Sequence, residues 1–134
     1  MKRLYVTAAI TGAGMQILLA GLMASIGAVS QGGEALAELG AQPWWVHAVV
    51  ITILMVWACL EELFFRGLLW RYLPAPEVTT SLLFATAHIM VSPVDAYFLL
   101  PFGFLLGFWR RAGLWASIAC HLAFNSVGIA LSFI

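Results

Sequence analysis

Long apolar segments follow one another along this chain, and they restrict the folds open to it. The first, from Leu4 to about Val29, contains no charged residue, and similar segments continue to Ile134. A helix needs about 20 predominantly apolar residues to cross a bilayer. The 134 residues are 63% hydrophobic and 9% charged, whereas a soluble domain is about one quarter charged. The sequence therefore predicts one domain, residues 1–134, folded as an all-α, polytopic transmembrane bundle of about five helices.

Glycines, prolines and charged residues divide the chain into five predicted helices. The first, residues 4–29, is accessory to a core of about residues 44–134. Its basic start resembles that of a signal peptide, but the apolar run exceeds the usual length of about 7 to 15 residues, which favours an uncleaved helix. A loop or surface helix, Ser30 to Pro43, comes next. The other four helices are predicted as Trp44–Tyr72, Pro76 to about Pro93, Asp95–Trp109 and Leu114–Ile134.

The charged residues near the helix ends predict how the bundle is oriented. If the chain crosses five times, the clustered basic residues all fall on one side of the membrane. The positive-inside rule assigns that side to the cytoplasm. We expect an integral protein of a bacterial or archaeal plasma membrane, with its site opening toward the cytoplasm. The basic residues are Lys2, Arg3, Arg71, Arg110 and Arg111, and the acidic residues of the opposite side are Glu34, Glu38 and Asp95.

Three charged residues, Glu61, Glu62 and Arg66, interrupt the apolar run of the second helix. A charge at the centre of a bilayer costs about 2.5 to 3.5 kcal/mol on insertion scales, so such residues need partners or a wet cavity. Glu62 and Arg66 are four residues apart with the acid first, which favours an ion pair on one helix face. Glu61 points about 100° away from Glu62 and is expected to stay free. We predict a structural, supporting role for Glu62 and Arg66 and a chemical role for Glu61.

Two histidines of other helices are predicted to reach the depth of Glu61. Counting about 1.5 Å of rise per residue from the basic side places Glu61, His88 and His121 about 12 to 15 Å deep. A polar cavity at that depth would keep water. On the fifth helix, Ser117, His121 and Asn125 recur every four residues, so this polar stripe must face protein. His121 and Asn125 then offer hydrogen-bond donors to the same space, as an oxyanion site requires.

Several other conspicuous residues receive structural interpretations. His47 lies near the interface, away from the other polar side chains, and is set aside. Tryptophans are treated as interface anchors, and Cys59 and Cys120 as packed thiols without the spacing of a metal site. Gly103 and Gly107 predict close packing of the fourth helix. No basic patch in the sequence indicates binding to nucleic acid.

Three short motifs lie in order on successive predicted helices: Glu61-Glu62-x-x-x-Arg66, Phe84-x-x-x-His88 and His121-x-x-x-Asn125. The pattern resembles that of the CAAX protease and bacteriocin-processing family of intramembrane endopeptidases, which includes the Ras-converting prenyl endopeptidase. The resemblance covers about residues 57–128. Members of this family usually have more transmembrane helices, so the chain resembles a minimal core of the fold.

The resemblance implies an activity and a role for each matched residue. The activity is hydrolysis of a peptide bond near the membrane surface, in a membrane-associated protein or peptide substrate. Glu61 would activate a water molecule that His88 helps to position. His121 and Asn125 would stabilise the tetrahedral intermediate as an oxyanion site. No cofactor is needed in this mechanism, and the partners are the lipid bilayer and the substrate.

Two alternatives stay open at the level of sequence. Glu61, His88 and His121 also form a His₂Glu set, of the kind that binds catalytic zinc with one open position. The metal-free glutamate mechanism is preferred, because Asn125 is a poor zinc ligand and a good oxyanion donor. Alternatively, the chain is a non-enzymatic immunity or scaffold protein that binds a partner helix in the same polar groove. A homo-oligomer is compatible with either function.

Overall fold

The computed structural model describes residues 1–28, 34, 38, 42–90 and 92–132, and within these ranges the chain is helical with no strand. This architecture confirms the predicted all-α fold with about five helices. The helices are α1 (Lys2–Ser25), α2 (Trp44–Glu62, continued by a π-helical turn Leu63–Leu68 and a 3₁₀ turn Leu69–Arg71), α3 (Pro76–Ile89), α4 (Pro93–Ala112) and α5 (Leu114–Leu131).

The first turns of α3 and α4 show how proline and serine set the helix starts. Pro76 lies in the first turn of α3 with Glu77 beside it, as predicted. α4 begins at Pro93, two residues earlier than predicted. The earlier start follows from Ser92, whose hydroxyl caps the helix by accepting a hydrogen bond from the amide of Asp95 at 3.2 Å.

Three predicted helix ends differ from the observed ends by three residues or more, and one predicted segment is largely undescribed. α4 continues to Ala112, three residues beyond its predicted end. α1 ends at Ser25, four residues before its predicted end. α3 ends at Ile89, before the proline that was expected to stop it. Most of the predicted surface segment Ser30 to Pro43 lies outside the described residues, as does the predicted end of the last helix at Ile134.

Three helices are long and apolar enough to cross a bilayer, judged by length and composition over the described residues. They are Lys2–Ser25, Trp44–Arg71 and Leu114–Leu131. α3 does not meet these criteria, since its 14 residues rise only about 21 Å, less than the hydrocarbon core of about 30 Å. α4 does not meet them either. The chain is therefore an integral membrane protein in which three long apolar helices accompany two helices, α3 and α4, that do not meet these criteria.

α3 and α4 form an antiparallel hairpin with close backbone contact. A Cβ atom on Gly103 would lie 3.2 Å from the carbonyl oxygen of Ser81, and one on Gly107 would lie 3.6 Å from Glu77. At the end of the hairpin, Arg111 donates a hydrogen bond to the Glu77 carboxylate. The predicted close packing at both glycines is confirmed. Because the two helices are antiparallel, the hairpin ends on the side of the bundle where it begins.

α5 lies at the centre of the bundle and contacts α1, α2 and α4. Its Phe124 stacks on Phe102 of α4, with ring centroids 3.7 Å apart. α1, which was predicted as accessory, packs along α5 with Ala8 fully buried. The Thr11 hydroxyl of α1 accepts a hydrogen bond from the indole of Trp109 on α4 at 2.8 Å. α1 therefore shares one core with the helices that carry the motifs.

The contact of α1 with α5 depends on Gly12, which gives a direct test of this packing. A Cβ atom on Gly12 would lie 2.1 Å from the carbonyl oxygen of Cys120, whereas one on Gly14 would meet nothing within 4 Å. Because a backbone carbonyl cannot move aside as a side chain can, we expect Gly12→Ala to lower the free energy of unfolding by about 3 kcal/mol. Gly14→Ala is the matched control and should leave the free energy of unfolding unchanged or slightly higher. Thermal unfolding in detergent measures both, and equal stability of the two variants would contradict the packing.

The π-helical turn Leu63–Leu68 follows directly on Glu62 and contains Arg66. Such turns occur frequently at functional sites, because they change the direction of side chains within an otherwise regular helix. The backbone carbonyl of Arg66 accepts a hydrogen bond from Nε of Arg110 at 2.6 Å, and the Arg110 guanidinium lies over the ring of Trp70. The last turn of α4 thus holds the segment of α2 from which the Arg66 side chain reaches inward.

Candidate active site

The predicted ion pair of Glu62 and Arg66 is confirmed, and it lies at the centre of the protein. Nη1 of Arg66 is 3.2 Å from Oε1 of Glu62, and both side chains are fully buried. Nη2 of Arg66 donates a second hydrogen bond to the carbonyl of Gly103 at 3.1 Å. The guanidinium also lies 4.7 Å from the centroid of the Phe84 ring, within range of a cation–π contact. Arg66 therefore connects α2 to both helices of the hairpin.

Glu62 has two further partners, and both belong to the polar stripe of α5. Ser117 donates a hydrogen bond to Oε2 of Glu62, and Nδ1 of His121 lies 3.0 Å from Oε1. The prediction that this stripe faces protein is confirmed at Ser117 and His121, which are both buried. The spacing along α2 predicted Arg66 as the partner of Glu62, and the contact with His121 on another helix was not predicted. Glu62 thus holds a histidine of the candidate site as well as an arginine.

The structure brings Glu61, His88 and His121 together at one depth, on three different helices. Nε2 of His88 is 3.8 Å from Oε1 of Glu61, and Nε2 of His121 is 3.7 Å from Oε2. These separations are longer than hydrogen bonds, so a small group can lie between each imidazole and the carboxylate. The side chains of Glu61 and His88 are 15% and 24% exposed, whereas that of His121 is 4% exposed. The site is therefore open on the side of α2 and α3.

Hydrogen bonds at Nδ1 determine what each imidazole can offer from Nε2. Nδ1 of His88 lies 2.7 Å from the carbonyl oxygen of Phe84, which can only accept, so Nδ1 carries the proton. Nδ1 of His121 faces the Glu62 carboxylate in the same way. In a neutral ring, each Nε2 then presents a lone pair toward Glu61. In an imidazolium ring, the same Nε2 presents a second N–H donor.

Aromatic side chains surround the two imidazoles and fix their planes. The ring centroid of Phe84 is 4.7 Å from that of His88 and 5.7 Å from that of His121. Phe102 packs edge-on to His121, with centroids 5.3 Å apart. Phe84 and Phe102 are both fully buried. The apolar walls leave Glu61 as the polar side chain that faces Nε2 of each histidine.

Glu61 is not free, in contrast to the prediction made from helix geometry alone. Nε1 of Trp57, one helical turn earlier on α2, donates a hydrogen bond to Oε1 of Glu61 at 2.8 Å. The general treatment of tryptophans as interface anchors is therefore wrong for Trp57, which lies about 20 Å from either end of α2. The i and i+4 spacing of an indole and a carboxylate was the signal in the sequence that could have revealed this contact.

Asn125 lies on α5 one turn beyond His121 and is partly buried. It shares the helix face of His121, as predicted from their spacing. Its amide makes no hydrogen bond within the part of the chain that the structure describes, so it is not held against Glu61, His88 or His121. The N–H donors of this amide therefore have no partner among the described residues.

The three side chains that were considered as zinc ligands are near one another but do not form a closed ligand set. Zinc bonds of about 2.0 to 2.2 Å in tetrahedral geometry place donor atoms about 3.3 Å apart. Glu61 is 3.8 Å from His88 and 3.7 Å from His121, so the donor atoms are wider apart than this. Among the described residues, no group of three or more His, Cys, Asp or Glu side chains is arranged to hold a metal ion.

One comparison with known proteins, that with family models, agrees with the motifs. The family model of the type II CAAX prenyl endopeptidase Rce1-like proteins matches residues 43–127, which is more than half of the chain. The matched range includes α2 to α5 up to two residues beyond Asn125, and with them Glu61, His88 and His121. No curated protein and no solved structure matches the chain.

Proposed function

Because the chain belongs to the Rce1-like family of type II CAAX prenyl endopeptidases, we propose that it is an intramembrane endopeptidase. Its substrate would be a membrane-associated protein or peptide, cleaved near the membrane surface. The observation that carries this proposal is the carboxylate of Glu61, which lies between Nε2 of His88 and Nε2 of His121 at 3.8 and 3.7 Å. A partly exposed carboxylate and two oriented imidazoles can activate water without a serine or cysteine nucleophile.

In the first step, Glu61 acts as the general base on a water molecule in the open part of the site. The neutral imidazole of His88 accepts a hydrogen bond from that water at Nε2, because its Nδ1 proton is held by the Phe84 carbonyl. The water oxygen attacks the scissile carbonyl carbon, and Glu61 takes the proton. The structure contributes orientation to this step, since both imidazole planes are fixed by hydrogen bonds and aromatic contacts.

In the second step, donors on α5 stabilise the negative charge that develops on the carbonyl oxygen. His121 in its imidazolium form donates from Nε2, while its Nδ1–H donates a hydrogen bond to Glu62. The amide of Asn125 supplies a second donor from the next turn of the same helix face. The C–N bond then breaks, and the proton held by Glu61 passes to the leaving amine. One product carries a new carboxylate and the other a new amino terminus.

Cleavage by purified protein tests the proposal and separates it from a non-enzymatic binding function. Proteoliposomes would be incubated with two probes, a prenylated CAAX peptide and an unmodified single-span peptide, and the products identified by mass spectrometry. We expect one probe to be cut by the wild type and cut at least a hundredfold more slowly by His88→Ala. The matched control is His47→Ala, because His47 lies at the start of α2 and outside the site. Equal binding of a probe by all three proteins without cleavage would favour a scaffold or immunity function.

Metal analysis of the same preparation tests the choice between the two mechanisms. The metal-free mechanism predicts cleavage that survives chelation, since no step uses a metal ion. A zinc ion held by Glu61, His88 and His121 would instead lower the pKa of a bound water and supply the nucleophile. Stoichiometric zinc that is lost together with activity on chelation would refute the metal-free mechanism.

We also propose that the site opens toward the cytoplasm. The basis is the positive-inside rule applied to Arg71, Arg110 and Arg111. The antiparallel hairpin of α3 and α4 supports this assignment, because it returns Arg111 to the side on which α2 ends, where it meets Glu77. Reporter fusions after residue 73 should be active in the cytoplasm, and activity outside the cell would reverse the orientation.

A further inference from the structure

The carboxylate of Glu61 receives one hydrogen bond from the residues that the structure describes, and the donor is the indole of Trp57. The distance from Nε1 to Oε1 is 2.8 Å, which is typical of a good N–H···O hydrogen bond. The two histidines face the same carboxylate at 3.7 and 3.8 Å, too far for direct hydrogen bonds. The indole is therefore the contact that determines the rotation of the Glu61 carboxylate plane.

The two oxygens of Glu61 consequently differ. Oε1 is occupied by the Trp57 N–H and lies on the side of His88. Oε2 accepts no hydrogen bond within the described part of the chain and lies on the side of His121. An oxygen that already accepts a strong hydrogen bond is a poorer proton acceptor than its free neighbour. The geometry points to a role for Trp57 as a positioning residue that holds Glu61 between the histidines and leaves Oε2 as the oxygen that takes the proton.

The surroundings of Trp57 make this hydrogen bond persistent. The residue is 60% exposed on the outer face of α2, near the middle of the segment Trp44–Arg71, which is long and apolar enough to cross a bilayer. Hydrocarbon offers no acceptor, so an indole N–H that leaves Glu61 would stay unpaired. The i and i+4 spacing along α2 places the acceptor within reach without any movement of the backbone.

This inference rests on the proposed protease function, and its test separates the two. Trp57→Phe keeps an aromatic ring and removes the N–H donor, and a variant with 3-benzothienylalanine at position 57 keeps the full size of the indole. We expect both to lower kcat by about tenfold to a hundredfold, the loss associated with a hydrogen bond to a charged group, with KM changed less than twofold. Trp115→Phe removes an indole N–H from a tryptophan of α5 that is similarly exposed, and it should leave kcat and KM unchanged.

Each outcome has a distinct meaning. Full kcat in the benzothienylalanine variant would overturn the positioning role of Trp57 and leave the proposed protease function intact. A rise in KM at unchanged kcat would do the same, because it would indicate that Trp57 contacts the substrate instead. If Trp57→Phe lowers the yield of folded protein and the benzothienylalanine variant does not, the kcat of the benzothienylalanine variant decides the test, because its side chain preserves the volume of the indole. No cleavage by the wild type would overturn the proposed function and the role of Trp57 with it.

Discussion

Replacing Glu61 with glutamine is expected to reduce peptide hydrolysis by about a hundredfold to ten-thousandfold while the protein stays folded. Glutamine has the shape of glutamate but cannot accept a proton from water, and general bases contribute about 10² to 10⁴ to the rate. Its carbonyl oxygen can still accept the hydrogen bond of the Trp57 indole. Glu61 takes no part in the buried ion pair, so folding should be preserved. Quantitative mass spectrometry of the cleaved probes measures the loss.

The Glu61→Gln variant should also retain its substrate, because only the chemical step is removed. Co-purification of the uncut probe with the variant tests this expectation. Glu77→Gln is the matched control, since Glu77 is an acid at the end of the hairpin that pairs with Arg111 away from the site. It should cleave at the wild-type rate. Undiminished cleavage by Glu61→Gln would refute the glutamate mechanism.

Replacing Arg66 with alanine is expected to damage stability, by about 3 to 5 kcal/mol, the loss seen when one partner of a buried ion pair is removed. The Glu62 carboxylate would keep Ser117 and His121 as hydrogen-bond partners, but its charge would be uncompensated in a fully buried position. The carbonyl of Gly103 would lose the Nη2 donor of Arg66 as well. The yield of folded protein and its midpoint of thermal unfolding in detergent should both fall.

Two further variants show whether the lost charge is the cause. The double variant Glu62→Gln and Arg66→Met removes both charges and keeps similar volumes, so it should recover part of the stability. Arg71→Ala removes an exposed arginine from the end of the same helix and should change stability by less than about 0.5 kcal/mol. A well-expressed Arg66→Ala protein of wild-type stability would show that the pair contributes little.

The sequence by itself determined the features that follow from position along one helix. Proline and charged residues predicted where α3 begins, and the spacing of Glu62 and Arg66 predicted their ion pair. Counting the rise per residue predicted that Glu61 and His88 would meet at one depth. These predictions succeed because helix rise and rotation are regular, so depth and i,i+4 contacts depend only on residue number.

Tertiary structure alone decided which faces of the helices meet. In a soluble protein, the polar face of a helix indicates the side that points away from the core. These helices are apolar on nearly every side. A leucine side chain gains no more from burial against protein than from contact with lipid, so the apolar pattern does not show which face packs. The sequence therefore did not show that α1 packs on α5 at Gly12, where backbones come into contact. It also did not show that His121 reaches Glu62 as well as Glu61.

The same reason explains the role of Trp57. A tryptophan in an apolar helix is compatible with an anchor, a core residue or a hydrogen-bond donor, and its neighbours in sequence do not discriminate among these. The rotation of α2 turns Glu61 toward α3 and α5 and leaves Trp57 on the outer face with its N–H on the carboxylate. Helix rotation is set by packing against several neighbours at once, so it is a property of the assembled bundle rather than of any one segment.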